Sequence, residues 1–370
     1  MIHGLISEEE RNARFQRAVA LLLDTDAPFT AETIYSLSDL EGEYLERFRT
    51  LWPEIPVERR RNLILRLVET AETNFELDFS AIIHPALDDP DDEVRITAME
   101  GVLEDSPRPV IERLMRIARS DASSAVRASA VKTLGQFVLQ GELGKLSAAL
   151  SERLQDLLFD LYLDFSEDLD VRRRALEAIG NCGREGVSEL IREAYYADEL
   201  PMRVSAVFAM GRSCDERWAS QILDELSSEH PEMRYEAARA AGELELRPAL
   251  ARLIELAYED DREIQEMAIW ALGEIGGKQA TRALNELAAL ADAQEDDELA
   301  EAVAEAQASA TLSGEDLWPL FDFSEYEDDL IDDEGRPHSW RHFHVIGEDE
   351  DDFDLEDDEE YFDEEDVDGF

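Results

Sequence analysis

The sequence predicts an all-α protein built as a solenoid of stacked helical hairpins. One ten-residue stretch recurs at a fixed interval: MRVSAVFAMG, residues 202–211, is followed 31 residues later by MRYEAARAAG and then by IQEMAIWALG. Each copy places apolar residues, alanine and a closing glycine at helical spacing. A second apolar pattern follows each copy at the same interval, so each unit contains a first and a second helix. Such units bury their apolar faces by stacking on their neighbours.

The first 56 residues are predicted to form a helical cap over one end of the solenoid. Residues 7–24 place Phe15, Val19 and either Leu22 or Leu23 on one helical face, and a second helical pattern ends near Trp52. Terminal units of repeat arrays are often atypical in this way. Residues 57–88 are interpreted as a degenerate first unit, because Leu63 stands where later units have alanine and no closing glycine follows.

Six clear repeats are predicted from 92 to 292, within a solenoid spanning 57–312. The step from Arg127 to Arg172 is 45 residues, so we expect an enlarged repeat with an insertion within 136–165. The motif arginines are expected to pair with acids of the first helical turn and tie loops together, and the closing glycines to end the first helices. These structural motif positions are Arg95, Arg127, Arg172, Arg203, Arg234, Gln265, Gly135, Gly180, Gly211, Gly242 and Gly273.

The copies DDEVRITAMEGV (91–102), SSAVRASAVKTLG (123–135) and DLDVRRRALEAIG (168–180) resemble a known repeat. Their pattern is similar to D-x-x-V-R-x-x-A-x-x-x-L-G of the short bacterial HEAT repeats that are named after phycobilisome lyases. The resemblance covers roughly residues 85–292. It implies a right-handed α-solenoid of HEAT-like hairpins, with a concave face lined by the second helices and used for protein contacts.

Two groups of enzymes resemble this chain in scaffold, and each has its own chemical signature. Deoxyhypusine hydroxylase takes its iron ligands from repeated His-Glu pairs, which this chain lacks; His84 and His230 precede prolines and are expected in loops. Bilin lyases resemble the repeat more closely, which implies a chromophore and an apoprotein partner. No GxSxG, CxxC or phosphate-binding glycine loop occurs. We therefore predict no catalytic residue, cofactor or metal site, and keep an accessory enzyme of the lyase or oxidoreductase type as the alternative.

The composition narrows the class of partner. Of the 370 residues, 90 are acidic and 35 basic, which gives a net charge of −55. Nucleic acids and anionic membranes attract positive surfaces, so a protein partner, basic in character, is expected instead. Cys182 and Cys214 lack the spacing of a redox or zinc motif and are interpreted as buried thiols. With no apolar run of ~20 residues and no signal peptide pattern, we expect a cytoplasmic monomer.

The chain changes character after residue 312. Residues 315–370 carry 26 acidic side chains and two arginines, a composition typical of disorder. Two aromatic islands, LWPLFDF (317–323) and SWRHFHVI (339–346), interrupt the acids. We predict that this acidic tail binds basic partners or regulates access to the solenoid, and the alternative is a solubilising tail. The partner-binding candidates are Trp318, Phe321, Phe323, Trp340, Phe343 and Ile346. The overall prediction is a non-enzymatic scaffold or adaptor for protein–protein interaction.

Overall fold

The computed structural model of the chain describes residues 8–312, and every regular element in that range is helical. This confirms the all-α prediction. The aromatic islands of the acidic tail lie outside the described residues. The N-terminal helices are α1 (Glu8–Leu23), α2 (Ala31–Tyr35), α3 (Gly42–Leu51), α4 (Val57–Thr73) and α5 (Ser80–Ala86).

Six hairpins follow, and each first helix stacks on the first helix of the next hairpin. The first helices are α6 (Asp92–Glu100), α8 (Ser124–Glu142), α10 (Leu169–Ile179), α12 (Leu200–Arg212), α14 (Pro231–Glu243) and α16 (Arg262–Ile275). The second helices are α7 (Arg108–Ser120), α9 (Ala148–Leu163), α11 (Val187–Tyr195), α13 (Ala219–Glu225), α15 (Leu250–Leu256) and α17 (Gly277–Gln294). A last helix, α18 (Asp297–Leu312), packs on α16 where the first helix of another hairpin would stand.

The 45-residue step falls in the hairpin of α8 and α9, which are 19 and 16 residues long. Both helices bury apolar side chains along their length, including Phe137 in α8 and Leu158 in α9. The inserted residues therefore lengthen a hairpin without interrupting the apolar core. No helix within residues 8–312 is both long and apolar enough to cross a membrane.

The N-terminal helices pack against α4 through a small set of buried contacts. Arg59 of α4 is 8 % exposed and donates hydrogen bonds to the carbonyl oxygens of Leu21 and Ala27, while its guanidinium lies 3.8 Å from the centre of the Phe29 ring. The neighbouring Arg60 pairs with the buried Asp89 at 3.0 Å. Helix α4 also packs on α6, as the first helix of one hairpin packs on the first helix of the next.

The closing glycines require a correction. We expected them to end the first helices, but Gly135, Gly211, Gly242 and Gly273 lie inside α8, α12, α14 and α16, and only Gly180 is a C-terminal cap. Their role is to let neighbouring first helices approach each other closely. From Gly180 onwards, a Cβ at each glycine would lie 2.8 to 3.0 Å from the Cα of an alanine in the next first helix. Glycine is therefore needed because neighbouring backbones meet there.

Candidate protein-binding face

The two helical layers of the solenoid are spaced differently. Gly180, Gly211 and Gly242 bring the backbones of successive first helices together, whereas the second helices of adjacent hairpins make few backbone contacts. Counting from the first residue of each motif, positions three, seven and eleven lie on one side of the helix, because they are four residues apart. These side chains, with those at position four, form in α10 to α18 what we call the first-helix face: Arg173, Arg174, Glu177, Asn181, Val204, Ser205, Phe208, Arg212, Tyr235, Glu236, Arg239, Glu243, Glu266, Met267, Trp270, Glu274, Glu301, Ala302, Glu305 and Ser309.

At α10 and α12 this face carries a closed hydrogen-bond network. Glu177 is only 8 % exposed, accepts a hydrogen bond from Arg174 at 2.6 Å, and accepts another from the hydroxyl of Ser205 on the next first helix at 2.6 Å. Arg173 approaches the same carboxylate at 3.5 Å. The basic side chains of α10 are therefore neutralised within the chain, because a buried carboxylate is stable when it is paired and hydrogen-bonded.

At α12 and α14 an arginine covers an aromatic ring. The guanidinium of Arg239 lies 3.9 Å from the centre of the Phe208 ring and donates to the Phe208 carbonyl oxygen at 3.0 Å. Glu236 fixes the guanidinium by accepting from its Nε at 2.7 Å. Burial raises the pKa of Glu236, although Arg239 opposes that effect. The result is a cation–π contact in which one repeat covers the aromatic side chain of the preceding repeat.

Across α14, α16 and α18 the face opens into a groove of about 850 Å³. Trp270 lies in it with 37 % of its surface exposed, and its ring edge packs over Gly242. The lining residues are Tyr235, Glu263, Glu266, Met267, Trp270, Glu274, Ala302, Glu305, Ala306 and Ser309. The groove thus combines an aromatic and thioether surface with carboxylates, and none of these lining residues, all within 8–312, is basic.

The carboxylates of the groove differ in their partners. Glu266 pairs with Arg262 at 2.7 Å, and Glu274 accepts a hydrogen bond from the Ser309 hydroxyl at 2.8 Å. Within residues 8–312, Glu263 and Glu305 make neither an ion pair nor a hydrogen bond through their side chains. Both are exposed, so they can pair with a cation from outside the chain.

A second groove lies between the second helices α7 and α9, and it differs in charge. It is lined by Arg116, Arg119 and Arg153, but each of these arginines is already paired. Arg116 reaches Asp88 at 2.8 Å, and Arg153 reaches Glu112 at 3.1 Å. The basic cluster of α7 is therefore largely neutralised by the chain itself.

The motif arginines lie at the loops, away from the first-helix face. Arg95, Arg127 and Arg234 each donate to a carbonyl oxygen six residues earlier, at 2.7, 2.8 and 3.0 Å, and so bond the end of the preceding second helix. Gln265 makes the equivalent bond to Ala257 at 3.1 Å. Arg172 donates to the carbonyl oxygen of Tyr162 in the last turn of α9 at 3.1 Å, and its guanidinium also lies 4.4 Å from the centre of the Phe165 ring. These contacts satisfy carbonyl groups that a helix end leaves without partners.

The acids that pair with these arginines differ from our expectation. Only Arg95 pairs with a first-turn acid, Asp92, at 2.8 Å. In the other pairs within residues 8–312, the acid is the last residue of the second helix of the same hairpin or lies a few residues after that helix. These pairs are Arg127 with Glu167, Arg203 with Glu225 and Arg234 with Glu259. These ion pairs therefore link the start of the first helix of a hairpin to the end of its second helix.

Neither cysteine nor histidine forms a chemical site in the part of the chain described. Cys182 is buried, and burial raises the pKa of its thiol to about 11, whereas Cys214 is exposed, contrary to our expectation of two buried thiols. His84 lies inside α5 with Pro85, and not in a loop as expected. No group of three His, Cys, Asp or Glu side chains among residues 8–312 could hold a metal ion.

Sequence reasoning missed the groove, although a signal for it exists. Position seven of the motif reads Glu177, Phe208, Arg239 and Trp270 at a constant step of 31 residues. Helical spacing alone would have placed these four on one face. Their pairing could not be predicted, because it depends on how far each first helix is displaced along its neighbour.

Comparisons with known proteins agree with this architecture. Residues 80–156 and 219–308 match the family model of HEAT repeats. A search of curated proteins gave no match.

Three solved structures that match much of the chain all have TM-scores below 0.5. The Escherichia coli protein YibA is 16% identical over 83% of this chain and 97% of its own, with a TM-score of 0.37. The CpcE and CpcF complex of phycocyanin lyase from Nostoc sp. PCC7120 is 16% identical over 62% of this chain and 93% of its own, with a TM-score of 0.42. Human deoxyhypusine hydroxylase is 21% identical over 72% and 96%, with a TM-score of 0.33.

Proposed function

We propose that this protein, whose chain carries HEAT repeats, is a non-enzymatic scaffold or adaptor that binds a protein partner on its first-helix face. The main support is the contrast between the motif positions that pack between helices and position seven, which lies on the first-helix face. Ala206, Ala237 and Ala268 are fully buried between neighbouring helices, so stacking accounts for their small side chains. Position seven holds glutamate, phenylalanine, arginine and tryptophan in turn, so stacking does not require one type of side chain there. Its variety is typical of a recognition surface.

The spacing of the helices favours this face over the opposite one. A stack whose layers are unequally spaced curves toward the more closely spaced layer, and here the first helices are the closer layer. The family resemblance had implied a concave face lined by second helices. We propose instead that the first helices line the inner side, where a partner contacts several repeats at once.

The first-helix face is large enough for a protein partner. Packed helices lie about 8–10 Å apart, so the five first-layer helices from α10 to α18 span roughly 30–40 Å. An extended segment of about ten residues covers that distance. A stable complex needs about 800 Å² of buried surface on each partner, which such a segment with its flanking contacts supplies.

Charge supports a basic partner. The whole chain has a net charge of −55, and residues 315–370 account for −24 of it. Opposite charge raises the rate of encounter and disfavours acidic competitors, and both effects weaken with salt. We propose that the acidic segment 313–370 draws basic proteins toward the chain, while the first-helix face supplies the specific contacts.

Site-specific photo-crosslinking tests the face directly. A photoreactive phenylalanine analogue is placed at Val204 or Met267 on the first-helix face, or at Tyr196, which is 72 % exposed at the end of the second helix α11. Each full-length protein is irradiated in extract of its own cells. The proposal predicts the same protein adduct from positions 204 and 267 and none from 196. Adducts from 196 alone would assign the wrong face, and stoichiometric iron or a chromophore on the purified protein would contradict a non-enzymatic role.

A further inference from the structure

Phe208 and Trp270 occupy the same motif position two repeats apart, and their rings have different surroundings. The guanidinium of Arg239 lies 3.9 Å from the centre of the Phe208 ring. No cationic side chain within residues 8–312 lies over the Trp270 ring, which remains 37 % exposed. One aromatic side chain is therefore covered by the chain, whereas the other is open to a ligand.

The register of the helices explains this difference. Phe208 precedes Gly211 by three residues, and the Cβ position of Gly211 lies 2.9 Å from the Cα of Ala240, the residue after Arg239. Trp270 precedes Gly273 by three residues, and Gly273 meets Ala306, the residue after Glu305, at 2.8 Å.

Glu305 of α18 therefore stands where Arg239 of α14 stands. At this point in the stack the chain supplies an anion in place of the covering cation.

The surroundings of Trp270 favour a positive charge. Glu263, Glu266, Glu274 and Glu305 line the groove around it. Glu266 and Glu274 have partners within the chain, but Glu263 and Glu305 are free to pair with a ligand. A cation over an indole face is attracted by the electron-rich ring, and adjacent carboxylates add to that attraction.

We propose that this groove binds an arginine side chain of a basic peptide segment, with the guanidinium over Trp270 in the place that Arg239 takes over Phe208. The proposal rests on the proposed function, since the arginine belongs to the protein partner. Glu305 and Glu263 pair with the guanidinium, while Tyr235 and Met267 contact the aliphatic stem and the peptide backbone. Arginine fits better than lysine because its planar group stacks on a ring and bonds carboxylates at the same time.

Fluorine NMR of the full chain labelled with 5-fluorotryptophan gives a site-resolved test. The chain has five tryptophans, and Trp270→Phe assigns the relevant signal. The probe is the peptide acetyl-Gly-Gly-Arg-Gly-Gly-amide, and its control carries uncharged citrulline at the centre. We expect the arginine peptide to shift the Trp270 signal saturably and the citrulline peptide to leave it unchanged. A Trp270 signal that does not respond, or that responds equally to both peptides, would overturn the proposal.

Two charge reversals separate a specific site from general attraction. Glu305→Arg places a guanidinium of the chain itself over Trp270, whereas Glu286→Arg makes the same charge change at an exposed position of the second helix α17, outside the groove. The arginine peptide should lose roughly tenfold or more in affinity for the Glu305→Arg protein, the loss that removal of a cation–π and carboxylate contact produces. The Glu286→Arg protein should bind almost as the unmodified chain does. Equal losses in both would show that peptide binding follows net charge only.

Crosslinking and fluorine NMR together separate the arginine site from the first-helix face as a whole. If photo-crosslinks from Val204 and Met267 persist in the Glu305→Arg protein at full yield, the first-helix face still binds its partner and the arginine site is wrong. If no crosslinks form from either position while the Trp270 signal still responds to arginine, the scaffold role on this face is wrong.

Discussion

Gly273 and Ala306 approach so closely that a Cβ on Gly273 would lie 2.8 Å from both the Cα and the carbonyl oxygen of Ala306. Through this contact α18 packs closely on α16. The contact also sets the register of the two helices, which brings Glu305 beside Trp270. The motif glycines therefore have a consequence for the binding face as well as for the core. A side chain at position 273 would have to push α18 away.

Gly273→Ala should destabilise the protein by about 1–3 kcal/mol, because a methyl group there meets backbone atoms that cannot turn aside. Gly135→Ala is the matched control, since its Cβ would lie 3.5 Å from Ala178, an ordinary contact. That change should stabilise by up to about 1 kcal/mol, because alanine favours a helix interior over glycine. Urea denaturation compares the two proteins, and equal midpoints would show that close approach is not why glycine stands at 273.

Ala206→Glu and Ala237→Glu should each cost about 3 kcal/mol or more. Both alanines are 0% exposed in first helices, so glutamate would bury a charge without a partner. Ala251→Glu makes the same change at an exposed position of α15 and should be nearly neutral. Thermal denaturation reports the difference. If the variants at 206 and 237 had the same melting temperature as the variant at 251, the buried side of the first helices would be wrongly assigned.

Arg61 and Asp91 should give the protein an acid-sensitive contribution to stability. Two hydrogen bonds from Arg61, at 2.7 and 2.9 Å, lower the pKa of Asp91 to about 2, below its ordinary value near 4. Because the folded state lowers this pKa, the stabilisation is complete above about pH 4 and is lost as the pH falls toward 2.

Asp91→Asn keeps the side-chain acceptor that caps the helix at Val94 but removes the charge. It should lower the free energy of unfolding by about 1 kcal/mol at pH 7. The difference from the unmodified protein should shrink between pH 4 and 2, as measured by denaturant titration at each pH. A difference that stays constant over that range would mean that Asp91 does not titrate in the way its contacts require.

The two cysteines should react at very different rates. Cys214 is exposed, whereas Cys182 is buried with its thiol pKa raised to about 11, which leaves little thiolate at pH 8. A disulfide reagent should therefore modify one thiol quickly, and Cys214→Ser should remove that fast phase. Full reaction should require denaturant. Two fast thiols in the native protein would contradict the burial of Cys182.

The sequence was sufficient to predict the hairpins but not the contacts between them. The 31-residue step depends on helical spacing within one unit, which can be read from Met202 and Met233 directly. The role of Gly211 depends on the neighbouring first helix, α14. Only the position of Ala240 in α14 shows that the glycine allows close approach instead of ending a helix. The groove depends on Glu305, which lies in a helix without the motif, and no repeat pattern could assign it a place beside Trp270.

Hydroxyl-radical footprinting of the chain with its captured partner tests the central claim, that the first-helix face binds the partner. Met267 and Trp270 report on that face, while Tyr196 and Tyr258 are exposed near the ends of second helices. All four side chains react readily with radicals, so one experiment compares both faces. The account predicts that the partner lowers oxidation of Met267 and Trp270 and leaves Tyr196 and Tyr258 unchanged. Protection of the two tyrosines, with Met267 and Trp270 oxidised as in the free chain, would contradict it.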